Sequence, residues 1–430
     1  MVFPESSEQV LQVVRFAAEN RLAVTPVGAN SSLEGQTVPV RGGISLDLSR
    51  MSRIVEFRAQ DLMITVQAGV TYPKINEHVR RSGLFFPVDP GAHASLGGMV
   101  GTNASGTGAV RYGVTRDYVL MLEVVLPSGE IVRVGNKARK SSSGYDLRSL
   151  FCGAEGTLGV VTEVTLRLVG LPESASAARV AFGDAGTATE YVVSLIQAGA
   201  PVARCELIDS RSVAAINAHL GSSFPEQMTV FLEFHGSPAG VAESVELAQH
   251  LAFDAGALDF QASADPGERE RLWAARHSHF VATVAANPGL RNIVTDVAVP
   301  ISALPDAVGH ALAASEQVGL AAYLVGHVGD GNFHLALFYP GDDLAARNAR
   351  DVAHSIVEHA LSVGGTSTGE HGVGLRKLPY MEAEHGSALE LMRGIKQLFD
   401  PQGIMNPGKK IPEVNRDPSL GAKRVESPSN

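Results

Sequence analysis

The stretch PVDPGAHASLGGMVGTNASGTG, residues 87–108, decides the architecture of this chain. It holds six glycines together with small and hydroxyl-bearing residues, a composition that is also typical of low-complexity sequence. Its apolar flanks indicate instead an ordered, buried segment. Because small side chains let a backbone approach a flat ligand closely, we expect this stretch to line a binding site.

Two further glycine-rich loops lie in the first 170 residues. GANSSLEG, residues 28–35, follows a short apolar strand, and GAEGTLG, residues 153–159, precedes another. Glycine and asparagine tolerate positive φ, so successive N–H groups of the first loop can converge on an anion, although ordinary turns between strands have a similar composition. Three such loops in one unit predict an extended dinucleotide lying across it.

Neither of two common nucleotide-binding fingerprints is present. The sequence contains no G-x-G-x-x-G, which excludes the Rossmann fingerprint. GIMNPGKK, residues 403–410, approaches a P-loop, but Lys410 replaces the required Ser or Thr and Pro407 interrupts the phosphate cradle. A dinucleotide must therefore be held by a different set of loops.

A second group of residues suggests a metal centre. HVGDGNFH begins at His327 and ends at His334, and GEHG, residues 369–372, supplies Glu370 followed by His371. The alternative is two loop histidines and an unrelated Glu-His pair, and His334 alone would more often be a core histidine than a ligand. Together, two imidazoles and a carboxylate suit one divalent ion such as zinc, manganese or iron. We predict His327, His334 and Glu370 as ligands and His371 as a general base.

Adjacent residues usually point in opposite directions, so both Glu370 and His371 can face one site only if the flanking glycines bend the chain. Asp330 and Asn332 are expected to shape the turn or to orient the ligands. The Glu-His-Gly triplet that begins at Glu384 lies in a polar helical run without preceding glycines. We interpret this second triplet as surface.

Length, charge and cysteine spacing exclude some classes of protein. A length of 430 residues predicts two domains, and the net charge of -10 argues against a nucleic-acid surface. Cys152 and Cys205 match no zinc or redox spacing, so a reducing compartment fits. We find no signal peptide and no apolar run of about 20 residues. The expected location is cytoplasmic, with peripheral membrane contact left open.

Hydrophobic patterns divide the chain near residue 172. Short strands and two or three helices precede this point, including a helix capped by Ser6 and a hairpin over residues 118–134. Helices and apolar strands alternate afterwards, which predicts an α+β fold. The expected later elements are helices over 185–198, 239–255 and 345–363 and strands over 228–234, 293–299, 321–326 and 334–339.

Taken together, these motifs resemble the vanillyl-alcohol oxidase type of flavoproteins, and above all their FAD-linked D-2-hydroxyacid dehydrogenases of the cytochrome- or quinone-linked D-lactate branch. The segments that carry the resemblance are Pro26–Gly35, Phe85–Gly113, Arg139–Glu163, Trp273–Arg276, Gly326–Leu337, Gly364–Gly374 and Phe399–Gly408. The resemblance also implies some tens of residues ahead of Val2, so we expect a truncated or wrongly assigned start.

For the architecture, the resemblance implies a PCMH-type FAD-binding domain over residues 1–172 and a cap domain built on an antiparallel sheet over residues 173–398. A segment over 399–412 returns to the first domain, and 413–430 form a disordered tail. Noncovalent FAD contacts are implied for Gly28, Ala29, Asn30, Ser31, Ser32, Leu33, Gly97, Gly98, Thr102, Asn103, Gly106, Tyr112, Glu155, Gly159, Val160 and Asn406. Asn406 is equally compatible with a simple turn.

The implied reaction is the oxidation of a small D-2-hydroxy acid, D-lactate above all, to the 2-oxo acid. Electrons pass through flavin to a cytochrome, a quinone or an electron-transfer flavoprotein. Arg276, in the sequence WAAR, is implied to grip the substrate carboxylate with two hydrogen bonds, although a surface arginine is the alternative. Ala336 favours a small substrate. Glycolate or D-2-hydroxyglutarate oxidation, a noncatalytic FAD-binding subunit and a flavin-free metal hydrolase stay open as alternatives.

Overall fold

The computed structural model describes residues 1–413. The predicted disordered tail, residues 413–430, therefore lies outside the described residues except for Glu413. Among the described helices, none has the length and apolar character needed to cross a bilayer. The chain builds two units, each with its own sheet and hydrophobic core.

Nine strands and six helices form the first unit. The strands are β1 (Val24–Val27), β2 (Ile44–Asp47), β3 (Ile54–Arg58), β4 (Met63–Gln67), β5 (Leu84–Phe85), β6 (Val119–Val125), β7 (Ile131–Gly135), β8 (Val160–Arg167) and β9 (Val169–Gly170). The helices are α1 (Ser7–Asn20), α2 (Tyr72–Val79), α3 (Leu96–Thr102), α4 (Ala109–Tyr112), α5 (Thr115–Tyr118) and α6 (Leu147–Phe151). The central sheet has the order β3-β4-β8-β6-β7 and is antiparallel.

Short-range sequence signals explain where α1 begins and where the chain turns between β6 and β7. The predicted cap of α1 is confirmed, since Ser6 accepts a hydrogen bond from the backbone of Gln9. The Gln9 side chain reaches back to the N–H of Glu5 at 2.7 Å, which satisfies another free donor at the helix start. The predicted hairpin is the pair β6–β7, with the chain turning over residues 126–130.

The remaining elements belong largely to the second unit. The strands are β10 (Ser174–Phe182), β11 (Val202–Ile208), β12 (Met228–Gly236), β13 (Asp259–Ser263), β14 (Arg291–Val294), β15 (Val297–Ala298), β16 (Ala321–His327) and β17 (Asn332–Tyr339). The helices are α7 (Ala185–Gln197), α8 (Ser210–Leu220), α9 (Pro238–Asp254), α10 (Pro266–His277), α11 (His279–Ala286), α12 (Leu304–Gln317), α13 (Asp343–Ser362), α14 (Met381–His385) and α15 (Ala388–Phe399).

The second sheet is antiparallel throughout, with the order β13-β10-β12-β11-β16-β17-β14 and β15 beside β17. The predicted α+β class is thus confirmed. Helices α7, α9, α12 and α13 bury one face of the sheet. Because side chains alternate along a strand, the polar residues of β11, β16 and β17 are left on the opposite face. Helix α4 of the first unit also contacts β11.

One prediction is wrong, because the strand expected over residues 293–299 is not continuous. Residues 293–299 form two short strands, β14 and β15, which are interrupted at Thr295 and Asp296. The carbonyl of Thr295 accepts a hydrogen bond from His334, and its hydroxyl accepts one from the N–H of Leu335. Asp296 takes up hydrogen bonds from a distant loop instead of continuing the sheet. The interruption of the strand therefore places the carboxylate of Asp296 in the protein interior.

The C-terminal segment contacts the first unit in several places. The N–H groups of Val373 and Gly374 donate to the carboxylate of Glu155 at 2.7 and 2.8 Å. Further along, the N–H of Asn406 donates to the carbonyl of Val24 at 2.8 Å. We propose the division 1–172, 173–398 and 399–412 for the domains, with contacts to the first unit already starting at Val373.

Candidate active site

A cavity of about 410 Å³ lies where the three glycine-rich loops meet. Most residues expected to contact the cofactor line it, namely Gly28, Ala29, Asn30, Ser31, Ser32, Leu33, Gly97, Gly98, Thr102, Glu155, Gly159, Val160 and Asn406. A Cβ on Gly28 would lie 2.2 Å from Ser95 Oγ, which accepts a hydrogen bond from the N–H of Ala29. A glycine at this position thus lets two loops approach each other along the cavity wall.

Three residues from the same prediction do not line the cavity. Asn103 ends α3 in a left-handed conformation and accepts a hydrogen bond from the N–H of Arg116. A Cβ on Gly106 would lie only 1.7 Å from the carbonyl oxygen of Asp89, so Gly106 serves close backbone packing. The Tyr112 hydroxyl lies 2.8 Å from His235 Nδ1 in the second unit. These three residues shape the loops and the contact between units.

The cavity fits a flavin dinucleotide by its chemistry as well as by its loops. Asn406 donates through Nδ2 to the carbonyls of Gln36 and Glu155, at 3.1 and 2.7 Å. Its Oδ1 is buried and finds no partner among residues 1–413. A buried acceptor without a donor is costly, and an N–H group of a bound ligand would satisfy it.

The predicted metal ligands come together at one end of this cavity, which Glu370 and His371 line. The ligand atoms of His327, His334 and Glu370 lie within 4.8 Å of one another. Glu370 Oε1 is 3.3 Å from Nε2 of each histidine. His327 is the last residue of β16, and His334 lies in β17, which pairs with β16 in antiparallel fashion. The pairing of the two strands therefore sets the distance between the two histidines.

Both histidines direct the same nitrogen towards Glu370. His327 Nδ1 lies 2.7 Å from Glu206 Oε1, and His334 Nδ1 donates to the Thr295 carbonyl at 3.0 Å. With Nδ1 engaged in this way, Nε2 is the nitrogen that remains for a ligand. Metal-binding histidines characteristically donate their second N–H to a carboxylate or carbonyl, so the donor set fits a metal ion.

The electrostatics of this cluster favour a cation. Burial alone would lower the pKa of His327, but the carboxylates of Glu206 and Glu370 raise it well above its ordinary value. Burial would raise the pKa of Glu370, yet His327 and His334 hold it well below its usual range. Positive charge next to an ionised Glu370 is thus strongly favoured, whether a proton or a metal ion carries it.

His371 lies beside the cluster and is held by the first unit. Its Nδ1 is 3.4 Å from Glu34 Oε1, and its carbonyl accepts a hydrogen bond from Gln36 Nε2 at 2.7 Å. Its Nε2 lies 3.9 Å from Glu370 Oε1. Burial would lower the pKa of His371, but Asp296, Glu34 and Glu370 together raise it to about 9.

Arg276 is buried and contacts Glu206, the residue that also contacts His327 Nδ1. Its Nε lies 2.8 Å and its Nη2 2.5 Å from Glu206 Oε2. The two-point contact that the sequence predicted for a substrate carboxylate is therefore made with Glu206 in this structure. Among the hydrogen bonds of the described residues, none involves Nη1 of Arg276.

Three carboxylates of the site were not predicted. Glu206 lies within the apolar strand β11, Asp296 within the predicted strand over 293–299, and Glu34 at the end of the first glycine-rich loop. All three are buried, and each lies close to a histidine of the site: Glu206 to His327, Asp296 to His334 and Glu34 to His371. An acidic residue inside an apolar strand was the signal that could have indicated the first two.

The second Glu-His-Gly triplet lies apart from the cluster, as predicted, but its glutamate is not a plain surface residue. Glu384 is half-buried and accepts hydrogen bonds from the Thr366 hydroxyl at 2.6 Å and from the N–H of Ser367 at 3.0 Å. Since the loop that carries Glu370 follows directly, Glu384 braces the start of that loop. The expectation of a surface role is corrected for this residue.

Comparison with known proteins assigns the chain to a family. A family model described as "FAD linked oxidases, C-terminal domain" matches residues 171–410, and one described as "FAD binding domain" matches residues 1–135. The chain belongs to the FAD-linked D-2-hydroxyacid dehydrogenase family. It is accordingly an FAD-dependent oxidoreductase of hydroxy acids, as the sequence predicted.

Relatives are similar over nearly the whole chain. "Probable D-lactate dehydrogenase, mitochondrial" of Danio rerio is 42% identical over 96% of this chain and 84% of its own length. "D-lactate dehydrogenase [cytochrome], mitochondrial" of Arabidopsis thaliana is 39% identical over 96% and 73%. "Glycolate oxidase subunit GlcD" of Bacillus subtilis is 33% identical over 95% and 88%.

Solved structures share the fold at low sequence identity. 4-Ethylphenol oxidase from Gulosibacter chungangensis superposes with a TM-score of 0.78 at 18% identity, over 96% of this chain and 89% of that one. p-Cresol methylhydroxylase superposes with a TM-score of 0.77 at 15% identity, over 97% and 89%. The predicted vanillyl-alcohol oxidase type of fold is thereby confirmed.

Proposed function

We propose that this protein oxidises a small D-2-hydroxy acid, D-lactate in the first place, to the 2-oxo acid with noncovalent FAD and one divalent metal ion. Electrons would then leave to a cytochrome, a quinone or a similar acceptor, as the printed name of the Arabidopsis thaliana relative suggests for cytochrome. The location expected from the sequence stays a prediction, since two of the relatives are named as mitochondrial.

The observation that carries the proposal is the convergence of His327 Nε2 and His334 Nε2 on Glu370, which borders the cavity that fits the flavin. Zinc, manganese and iron all accept such a donor set. A bound divalent ion would lower the pKa of a substrate hydroxyl by stabilising the alkoxide. Bound FAD would supply the acceptor for the hydride of the adjacent carbon.

Asp296, Glu34 and Glu370 raise the pKa of His371 to about 9, and a divalent ion bound at Glu370 would counteract them, because a nearby positive charge disfavours the protonated imidazole. With the ion bound, His371 is suited to accept the hydroxyl proton. Its Nδ1 faces Glu34 and its Nε2 faces the metal cluster, so the neutral tautomer with Nδ1–H presents a basic Nε2 to the substrate. Glu34 then stabilises the positive charge that His371 gains on accepting the proton. A base in this position contributes roughly 10²–10⁴ in rate.

Arg276 and Ala336 define what the site accepts. The guanidinium of Arg276 offers a charge-assisted hydrogen bond to a substrate carboxylate through Nη1. Ala336 lies two residues after His334 on β17, and hence on the same face of the sheet, where it is buried. Its methyl group leaves no polar partner for a second substrate carboxylate, which supports a small side chain.

The test is anaerobic bleaching of the flavin absorbance in the purified FAD-loaded protein. D-lactate should bleach it much faster than L-lactate, and prior chelation should slow the reaction, with recovery after Zn²⁺ or Mn²⁺ is added. A protein that is colourless and takes up no FAD would contradict the proposal. Bleaching that is insensitive to the chelator would remove the metal ion from it.

Glycolate is the second candidate, because the Bacillus subtilis relative named as a glycolate oxidase subunit is 33% identical over 95% of this chain. The buried Ala336 is compatible with glycolate too. Including glycolate and D-2-hydroxyglutarate among the tested acids separates these substrates from D-lactate. A noncatalytic FAD-binding subunit is disfavoured, since such a subunit has no need for the imidazoles of His327, His334 and His371.

A further inference from the structure

Glu370 and His371 raise a geometric problem. They are consecutive residues, and consecutive side chains of an extended chain point in opposite directions. Yet Glu370 Oε1 lies 3.3 Å from Nε2 of both His327 and His334, and His371 Nε2 lies 3.9 Å from the same oxygen. Something must hold the backbone in a bent form at this point.

Asp296 is the group that holds it. The N–H of Glu370 donates to Asp296 Oδ2 at 3.0 Å, and the N–H of His371 donates to the same oxygen at 2.8 Å. Two consecutive N–H groups that converge on one anion form a nest, a backbone shape that an extended chain does not adopt. Since the two N–H groups lie on one side, the two side chains are turned towards the site together.

The loop is built to reach this carboxylate. The Thr368 hydroxyl donates to Asp296 Oδ2 at 2.7 Å, and Asn332 Nδ2 donates to Oδ1 at 3.0 Å. A Cβ on Gly369 would lie 2.2 Å from Asn332 Nδ2. A glycine at position 369 thus allows the loop to come close enough for all these donors to meet Asp296.

A second metal ion is the competing explanation, because ligand atoms of Asp296, His334 and His371 also lie within 4.8 Å of one another. The hydrogen bonds argue against it. Both Asp296 oxygens already accept from N–H or O–H donors, and His334 Nδ1, on the side facing Asp296, donates to the Thr295 carbonyl. These groups have little capacity left for an ion.

We propose that Asp296 is a positioning residue that turns Glu370 towards the metal ion and His371 towards the substrate. This inference rests on the proposed function of the same site. Asp296 is fully buried and lies at the break between β14 and β15. The interruption of the strand is therefore what allows a sheet residue to organise a loop about 75 residues away in the sequence.

The test is Asp296→Asn in the FAD-loaded protein. The amide replaces one acceptor oxygen with an NH2 group, which faces N–H donors and opens the nest. We expect FAD to stay bound, the affinity for Zn²⁺ and Mn²⁺ in competition with a chelator to fall about 10–100-fold, and kcat for D-lactate to fall by a similar factor. KM should change little, because Arg276 is held by Glu206 and not by Asp296.

Thr368→Val keeps the carboxylate but removes one hydrogen bond to it. Both ion affinity and kcat should fall about 2–5-fold, in keeping with the loss of about one hydrogen bond. If Asp296→Asn does not fold, Thr368→Val is the variant that tests the positioning role of Asp296. Asp306→Asn is the matched control, since Asp306 pairs with His359 at the surface, and it should leave both quantities unchanged.

Folded variants at 296 and 368 that bind ions and turn over within twofold of wild type would overturn the positioning role. Failure of the proposed function is a different result, in which the wild-type protein itself takes up neither ion or is not bleached by any D-2-hydroxy acid. If only ion uptake fails, the bleaching rates of the variants relative to wild type decide the role of Asp296.

Discussion

Glu206 Oε1 lies 2.7 Å from His327 Nδ1, and both side chains are buried. The other carboxylate oxygen holds Arg276 through Nε and Nη2. One residue therefore orients the imidazole proposed to bind the metal ion and the guanidinium proposed to bind the substrate. Whatever disturbs Glu206 should disturb both functions of the site together.

Glu206→Gln tests this link. The amide keeps the size of the side chain but cannot accept at both ends, so either His327 or Arg276 loses a charged acceptor. We expect ion affinity to fall about 10–100-fold and KM for D-lactate to rise in the same variant. Chelator competition and steady-state kinetics measure the two effects. Glu268→Gln, on the exposed side of α10, is the control and should behave as wild type.

Arg276→Ala should raise KM for D-lactate strongly, because the site loses its cation for the substrate carboxylate. It also leaves the buried Glu206 without one of its two partners, and breaking such a buried ion pair costs about 3–5 kcal/mol of unfolding free energy. Arg276→Lys retains the charge and should lose less stability. Arg271→Ala on the same helix is the control, and an unchanged KM in a folded Arg276→Ala protein would exclude the proposed role.

His371→Asn should abolish turnover while FAD remains bound, since the base is removed but the residues of the three glycine-rich loops are unchanged. Flavin content by absorbance and anaerobic bleaching with D-lactate give the two readouts. His385→Asn is a matched control from the second Glu-His-Gly triplet and should retain full activity. Retained bleaching in His371→Asn would assign the proton to another group.

The pH dependence of stability should reveal the carboxylates around His371. In the chelator-treated protein its pKa is raised from 6.5 to about 9, so the stability gained from the charged imidazole is fully present below pH 6.5 and is lost as the pH rises through about 9. The difference in Tm between wild type and His371→Asn should therefore shrink over this range. A difference that grows with pH would contradict the assignment.

Much of the fold could be predicted from local patterns. The cap of α1 at Ser6, the hairpin β6–β7 and the three predicted helices α7, α9 and α13 are set by hydrogen-bonding and hydrophobic signals that act over a few residues. The strand over 293–299 could not be predicted correctly. Its apolar residues fit one continuous strand, while the interruption at Asp296 depends on donors from a loop that is distant in the sequence.

The sequence by itself determined the chemical types present, namely glycine-rich loops of the kind that hold a dinucleotide, and two histidines and a glutamate, a set that suits the proposed metal ion. These types are readable because each depends on residue identity and short spacing. Only the tertiary structure decided which groups act on one another. Glu34 and His371 are 337 positions apart, yet their side chains meet. Such pairings arise when two sheets and the loop between them pack together, and no local pattern encodes them.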